Sequence, residues 1–255
     1  MGMDYLNKNV IDESIRIILR TPQIELLGFH AHIGSSIMNE EPYLKLIKRM
    51  VAFQNEINNE YHLCLYQLNI GGGFGINYQR SDNALSIEEM MKKITSSLEA
   101  SISSTNSLIN HVMIEPGRSI VGNAGITIYS ISQIKPTITD KRYLLVDGGM
   151  TDNIRPALYQ AIYEVDVVNK MNEKKTINVD VVGKCCESGD FIRKDVMIPD
   201  VASSDLLIVY NTGAYNYAMA SNYNNQLKPA LLRVSEDKVI VASRREELSD
   251  LMRLF

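Results

Sequence analysis

The strongest constraint in this sequence is a strand count. Up to about residue 125, three short apolar runs alternate with segments of helical spacing: LLGFHAHI, LYQLNI and VMIE. Ile11, Ile15, Ile18 and Leu19 mark one helix face. Leu44, Ile47, Val51, Gln54 and Ile57 mark a second. Ser86 and Glu89 form a capping box before Ile87, Met90, Met91, Ile94 and Leu98. Strand–helix alternation of this kind predicts parallel strands. Three strands fall short of the eight of a closed barrel and leave two open edges, so a small open α/β sheet is the alternative.

Strand parity separates two faces. Leu27, Phe29, Ala31 and Ile33 oppose Gly28, His30 and His32. Tyr66, Leu68 and Ile70 oppose Gln67 and Asn69, and Val112 and Ile114 oppose Met113 and Glu115. One face is apolar, for packing helices. The other carries polar groups near the C-terminal strand ends, where barrel enzymes build their sites.

The second half changes period. GITIYSIS, RYLLVDG, INVDVVG and DLLIVY are short β-rich runs between turn residues and predict an antiparallel β domain. NKMNEKKT, residues 169–176, reads as a polar loop, with helical stretches near 214–222 and 245–254. The expected organisation is 1–125 as a partial α/β barrel and 126–255 as a β domain with helical segments.

Composition narrows the function classes. At 255 residues the chain can bury a sizeable core, and 45% hydrophobic with 22% charged residues is ordinary for a soluble globular protein. A net charge of -4 argues against nucleic acid. No apolar run approaches the roughly 18 residues of a membrane span. MGMDYLNKNVIDES lacks a signal-peptide core, and Leu6 breaks the myristoylation pattern. Cys64, Cys185 and Cys186 make no disulfide framework and no CxxC zinc motif, so a cytoplasmic location is expected.

Each candidate motif has two readings. Gly71-Gly72-Gly73 after a strand lets backbone amides approach an anion, or is a tight turn; a P-loop motif is absent. His30 and His32 on one strand face suit a metal, a flat cofactor or a hydrogen-bonded core, and only His62 and His111 remain as further histidine ligands. Glu115-Pro116-Gly117-Arg118 offers a carboxylate for a ring nitrogen and a fork for an anion, or a turn-capping ion pair. Cys185-Cys186-Glu187-Ser188 offers a loop thiol as proton donor, or two small buried residues. Tyr215 and Tyr217 are packing residues or phosphate-binding hydroxyls.

Order and company decide among these readings. GFHAHIGSSI, NIGGGFG, IEPGRSIVGNAG, DGGMTDNIRPALYQA, GKCCESGDF and GAYNYAMASNYN follow one another along nearly the whole chain. This set resembles the alanine racemase-fold decarboxylases, the ornithine/diaminopimelate/arginine decarboxylase family. GGMTDNIRPALY, CCESGDF and the tail SRREELSDLM favour meso-2,6-diaminopimelate, converted to L-lysine, over ornithine or arginine.

The resemblance implies a TIM barrel that binds pyridoxal 5'-phosphate, followed by a β domain, in a homodimer with shared active sites. His32 would stack on the cofactor ring. Gly72, Gly73 and Tyr215 would line the cofactor's phosphate side, and Ser35, Gly117 and Arg118 would also bind the cofactor. Glu115 would face the pyridine nitrogen and keep it protonated. Arg118, Arg155, Tyr159 and Tyr215 would serve the substrate, the arginines by bidentate grip of carboxylates. Cys186 would return the proton and Glu187 would meet the distal amino group, both from the partner subunit. No metal is implied.

The sequence departs from the family pattern in three places. Ser36 replaces the usual glutamine, and Lys228 before Pro229 replaces an arginine. The half-barrel that carries the Schiff-base lysine has no counterpart here, which is the expected reason for the count of three strands. Lys184 lies in a β-domain turn and does not match that lysine's motif. The expected reading is therefore an N-terminally truncated decarboxylase. The alternatives are a non-catalytic fragment or regulator that dimerises with a full-length homologue, and a decarboxylase of another basic amino acid. A metal-dependent barrel hydrolase using His30 and His32 stands furthest back. The isolated chain is expected to fold poorly because barrel edges would be exposed.

Overall fold

The computed structural model describes residues 2–138 and 141–253. Two compact units divide the chain. One runs up to Ile76 and resumes over Asn83–Ser119; the other comprises Asn77–Asp82 and everything from Ile120 on.

The first unit contains helix α1 (Lys8–Leu19), strand β1 (Gly28–His30), α2 (Glu41–Tyr61), β2 (Gln67–Asn69), α3 (Ile87–Thr105) and β3 (His111–Met113). The strands are parallel in the order β1-β2-β3, with Phe29 opposite Leu68 and Leu68 opposite Val112. Burial follows position in the sheet. Leu68 on the central strand and Ile70 just after it are fully buried against α2 and α3, through Tyr43, Ile47, Met90 and Ile94. Val112 on the apolar face of β3, Ile114 just after it, and Ile33 beyond β1 stay exposed because an edge strand has a neighbour on one side only.

The helices are closed as their sequences dictate. Ser86 accepts the Glu89 amide and Glu89 accepts the Ser86 amide, so the expected capping box is formed. Helices α2 and α3 end in left-handed residues, His62 and Asn106.

All three strands are shorter than the apolar runs. β1 ends at His30; the Ala31 amide still bonds the Asn69 carbonyl at 3.0 Å, but His32 lies beyond the strand. This corrects the expectation that His30 and His32 share one strand face. The ladder stops because the chain turns through Gly34 at φ 131.

The second unit is built on a six-stranded sheet in the order β6-β9-β4-β5-β7-β8. Its strands are β4 (Thr127–Pro136), β5 (Arg142–Val146), β6 (Val165–Val167), β7 (Ile177–Val182), β8 (Phe191–Ile198) and β9 (Leu206–Val209). The long β4 pairs with β9 through Ser130 and with β5 from Ile131, with an irregularity between Ile131 and Gln133. Alternate residues bury one core of Tyr129, Ile131, Leu144, Val146, Val179, Val181, Ile192 and Val209, among others. The sheet is not antiparallel throughout: β5 and β7 run parallel. The connection between them passes through helix α5 (Arg155–Tyr159) and β6, which is long enough to return the chain in the same direction.

Helix is scarcer here than the periodicity predicts. The 214–222 stretch forms one 3-10 turn, Tyr217–Met219, and the tail forms a five-residue helix, Leu248–Met252. The polar loop at 169–176 begins inside a 3-10 turn, Val168–Lys170. A hairpin of β10 (Leu231–Ser235) and β11 (Lys238–Ser243) forms a separate two-stranded sheet. Among the described residues no helix is long and apolar enough to cross a membrane.

Candidate functional site

In the first unit, register builds a polar cluster. His30 lies opposite Asn69, and Asn69 opposite Met113, so these side chains share the face away from the helix core. Glu115 follows Met113 with the same parity. Its carboxylate is gripped from two sides. Asn69 Nδ2 donates to Oε1 at 2.9 Å, and His30 Nε2 stands 3.5 Å from Oε2. The Glu115 amide donates to the Gly71 carbonyl at 2.8 Å, fixing the backbone as well. The carboxylate remains half exposed.

The three glycines turn where a side chain would not fit. Gly71 and Gly73 have φ of 72 and 95. A Cβ at Gly72 would overlap the Glu115 carbonyl oxygen, and one at Gly73 the Gly34 carbonyl oxygen. The turn is pinned on both sides. The Gly72 amide donates to His32 Nδ1 at 3.2 Å, and the buried Tyr43 hydroxyl donates to the Gly72 carbonyl at 2.9 Å. Burial pushes the Tyr43 phenol up to about 12, so it stays a donor at any physiological pH. Among the described residues no acceptor takes the Gly73 amide. Arg118 is buried and its Nη2 donates to Ser35 Oγ at 3.2 Å. Thus His32, Ser35, Gly72, Gly73, Glu115, Gly117 and Arg118 gather at the C-terminal ends of the three strands and the turns that follow them. Nothing in the sequence flagged Asn69 and Tyr43 as supports, although the parity of Asn69 with His30 and Glu115 carried the signal.

The second unit holds another cluster. Arg155 is buried, yet its Nε has no hydrogen-bond partner among the described residues. Its guanidinium carbon lies 5.2 Å from the Tyr159 ring centre and 5.8 Å from that of Tyr215. Both tyrosines are exposed, and Tyr215 is left-handed at φ 63. A buried guanidinium flanked by two exposed rings is suited to a carboxylate. Tyr217, half-buried, donates instead to Ser243 Oγ at 2.7 Å.

Cys186 and Glu187 stand exposed on the loop between β7 and β8, whereas Cys185 is buried. Burial and the nearby Asp190 carboxylate push the Cys185 thiol up. The two cysteines therefore differ: Cys185 is packing, and Cys186 is the accessible thiol. All three cysteines are free. Among the described residues no group of three or more His, Cys, Asp or Glu side chains is placed to hold a metal ion.

The two clusters define a class: an α/β strand–helix unit with a tight glycine turn beside an oriented carboxylate, followed in the chain by a mixed β domain carrying a buried arginine and an exposed thiol. The family model described as pyridoxal-dependent decarboxylase, C-terminal sheet domain, matches residues 9–213, and the chain belongs to that family. It is 39% identical over 253 residues to the diaminopimelate decarboxylase of Bacillus subtilis (strain 168), covering 99% of this chain and 57% of the relative. It is 40% identical over 245 residues to that of Synechocystis sp., covering 96% and 52%. Among solved structures, diaminopimelate decarboxylase from M. jannaschii in co-complex with L-lysine aligns at a TM-score of 0.88 and 27% identity, covering 96% of this chain and 55% of that one. The Helicobacter pylori enzyme complexed with L-lysine aligns at 0.82 and 31%, covering 95% and 58%. The chain spans about half the length of the curated relatives it matches. The fold class is accordingly the later part of a pyridoxal-phosphate-binding barrel followed by a β domain.

Proposed function

We propose that these residues belong to a decarboxylase that acts on meso-2,6-diaminopimelate, breaking one carbon–carboxylate bond and leaving carbon dioxide and L-lysine. The carrying observation is the Glu115 carboxylate, held by Asn69 and His30 beside the Gly71–Gly73 turn. Relatives named diaminopimelate decarboxylase, and two such structures complexed with L-lysine, support the choice of substrate.

Pyridoxal phosphate, when bound, supplies the electron sink that takes up the pair left by the departing carboxylate. The residues present fit that group. The Gly73 amide, the glycine turn and Ser35 supply donors for a phosphate. Glu115, accepting from Asn69, keeps its charge oriented and would hold a proton on the ring nitrogen. His32, fixed through its Nδ1, presents a flat ring, and Tyr215 would join the phosphate side.

Arg118, Arg155 and Tyr159 would hold substrate carboxylates. The unpartnered Nε of Arg155 supports that role, because a buried donor is costly to leave unmade. Cys186 would deliver the proton to the carbon that loses carbon dioxide, and Glu187 would pair with the distal ammonium. Both are exposed on one loop, which suits sites shared between two copies of the chain. A homodimer in the cytoplasm is part of the same reading; the free thiols support it.

The test is carbon dioxide release from meso-diaminopimelate with added pyridoxal phosphate, with ornithine as control. It is run on the 255-residue chain alone and with the part of the Bacillus subtilis relative that this chain does not match added. Release from diaminopimelate but not ornithine, lost with Cys186→Ala, is the expected result. Release from ornithine alone would overturn the substrate. Silence in both arms would overturn the catalytic reading and leave a non-catalytic fragment or regulator.

A further inference from the structure

The loop that carries Cys186 and Glu187 is anchored at its root by a buried carboxylate. Asp190 Oδ2 accepts the Cys185 amide at 2.7 Å and Oδ1 accepts the Met150 amide at 2.6 Å. The Gly183 amide bonds the Asp190 carbonyl at 2.9 Å. Asp190 is 4% exposed and leaves no room for a side chain at Gly149, whose Cβ would lie 2.6 Å from its carboxylate. The root is therefore rigid, but residues 186–189 are all exposed. An exposed tip is mobile unless something holds it.

We propose that Tyr223 and Asn224 are positioning residues that clamp this tip, Asn224 holding the Cys186 backbone and Tyr223 the Glu187 carboxylate. The proposal rests on the decarboxylase reading for the roles of Cys186 and Glu187, and on geometry for the clamp. The Cys186 amide donates to Asn224 Oδ1 at 3.1 Å. The Tyr223 hydroxyl donates to Glu187 Oε2 at 3.2 Å. One adjacent pair of residues thus grips another, backbone by one contact and side chain by the other.

The clamp is itself braced. Asn224 and Asn225 turn the chain at φ of 52 and 56. Asn222 Nδ2 donates to the Gln226 carbonyl at 2.9 Å and to Glu246 Oε2 at 2.6 Å, and the same Glu246 oxygen accepts the Lys228 amide at 2.8 Å. The Ser221 amide donates to the Thr151 carbonyl at 3.0 Å. Ser221 and Asn222 thus make three hydrogen bonds to residues outside 221–225, two of them to Thr151 and Glu246, distant in sequence.

The consequence is chemical. A proton donor works only while its sulfur is held within reach of the carbon it serves, and small misplacements cost turnover steeply. Glu187 also accepts the Ser188 hydroxyl on Oε1 at 3.4 Å, so Tyr223 completes the fixing of its carboxylate. A fixed carboxylate sets the length of diamino acid whose far ammonium it can meet.

The experiment measures amide hydrogen exchange of Cys185 and Cys186 by NMR in the 255-residue chain. Asn224→Gly removes the acceptor while keeping the left-handed backbone unstrained. Asn224→Asp keeps the acceptor. Exchange at Cys186 is expected to rise on the order of fivefold in Asn224→Gly and to stay close to the parent in Asn224→Asp. The Cys185 amide, held by Asp190, should not change. An unchanged Cys186 amide, or equal acceleration at both, overturns the Asn224 clamp. For Tyr223→Phe, an unmoved Glu187 carboxyl resonance overturns the other half. Where carbon dioxide is released from diaminopimelate, Asn224→Gly should lower kcat with KM nearly unchanged, and Tyr223→Phe should raise KM. Absence of all release would sink the decarboxylase reading while the exchange result still decides the clamp.

Discussion

Glu187 and Tyr223 show how one contact sets the chemistry of both partners. The Glu187 carboxylate accepts the Tyr223 hydroxyl, so ionising the phenol would lose the bond and place two negative charges together. The tyrosine is held above its ordinary value chiefly by that hydrogen bond, then by the charge of Glu187, with smaller contributions from burial and from Cys185 and Cys186. Glu187→Gln removes the charge and weakens the acceptor. Tyr223 is therefore expected to titrate at lower pH in Glu187→Gln than in the parent, followed by the ring resonance of labelled tyrosine. An unmoved titration would mean that the pair is not formed in solution. Glu115 is the contrasting case. Its partners are the neutral amide of Asn69 and the His30 ring, so its orientation rather than its neighbours' charge is what the fold secures.

At the scale of elements, stability concentrates where a strand or turn has neighbours on every side. Leu68, fully buried on the central strand between α2 and α3, is such a point. Leu68→Ala is expected to destabilise the first unit by roughly 2–5 kcal/mol, read from urea midpoints at constant m-value. Asp205, just before β9, is a second. Its carboxylate accepts the Ala202 amide and the Asn169 side chain and pairs with Lys170 at 3.0 Å. These hold it down to about 2, from an ordinary 3.8. A folded value below the unfolded one gives stability that is present above pH 3.8 and lost as the pH falls towards 2. Asp205→Asn should flatten the acid limb of a thermal-stability profile across that window, and an identical limb would remove Asp205 as its source.

Elements also show what was legible in the sequence. The start of helix α3 was readable to the residue because its capping box and apolar spacing are local. The shared face of His30, Asn69 and Glu115 was readable because strand parity is local too. The strand ends were not, since β1 stops short of the turn at Gly34, whose carbonyl packs against Gly73, far along the chain. The parallel pairing of β5 with β7 was hidden for the same reason: a β-rich run does not show its partner. The clamp on Cys186 joins residues 38 apart in sequence, and no spacing rule points from one to the other.

At the scale of the whole molecule, the two units differ in how completely their strands are used. The first has three parallel strands of three residues each, with β1 and β3 as open edges and Val112, Ile114 and Ile33 exposed. The second closes a continuous core over six strands, all but β6 longer than those of the first unit. Parallel ladders are weaker per residue, and short edges are the first to open. Amides of β1–β3 should therefore exchange well before those of β4, β5 and β7 under native conditions. The β10–β11 hairpin exposes Leu232, Val234, Val239, Ile240 and Val241, so it should also open early and bind a hydrophobic dye. Native-state hydrogen exchange decides the order. Two separate steps, with the first unit leading, are expected. A single sharp transition in a monomeric chain, with β1–β3 protected as long as β7, would show that three strands are sufficient for a stable unit and that open edges do not limit this fold.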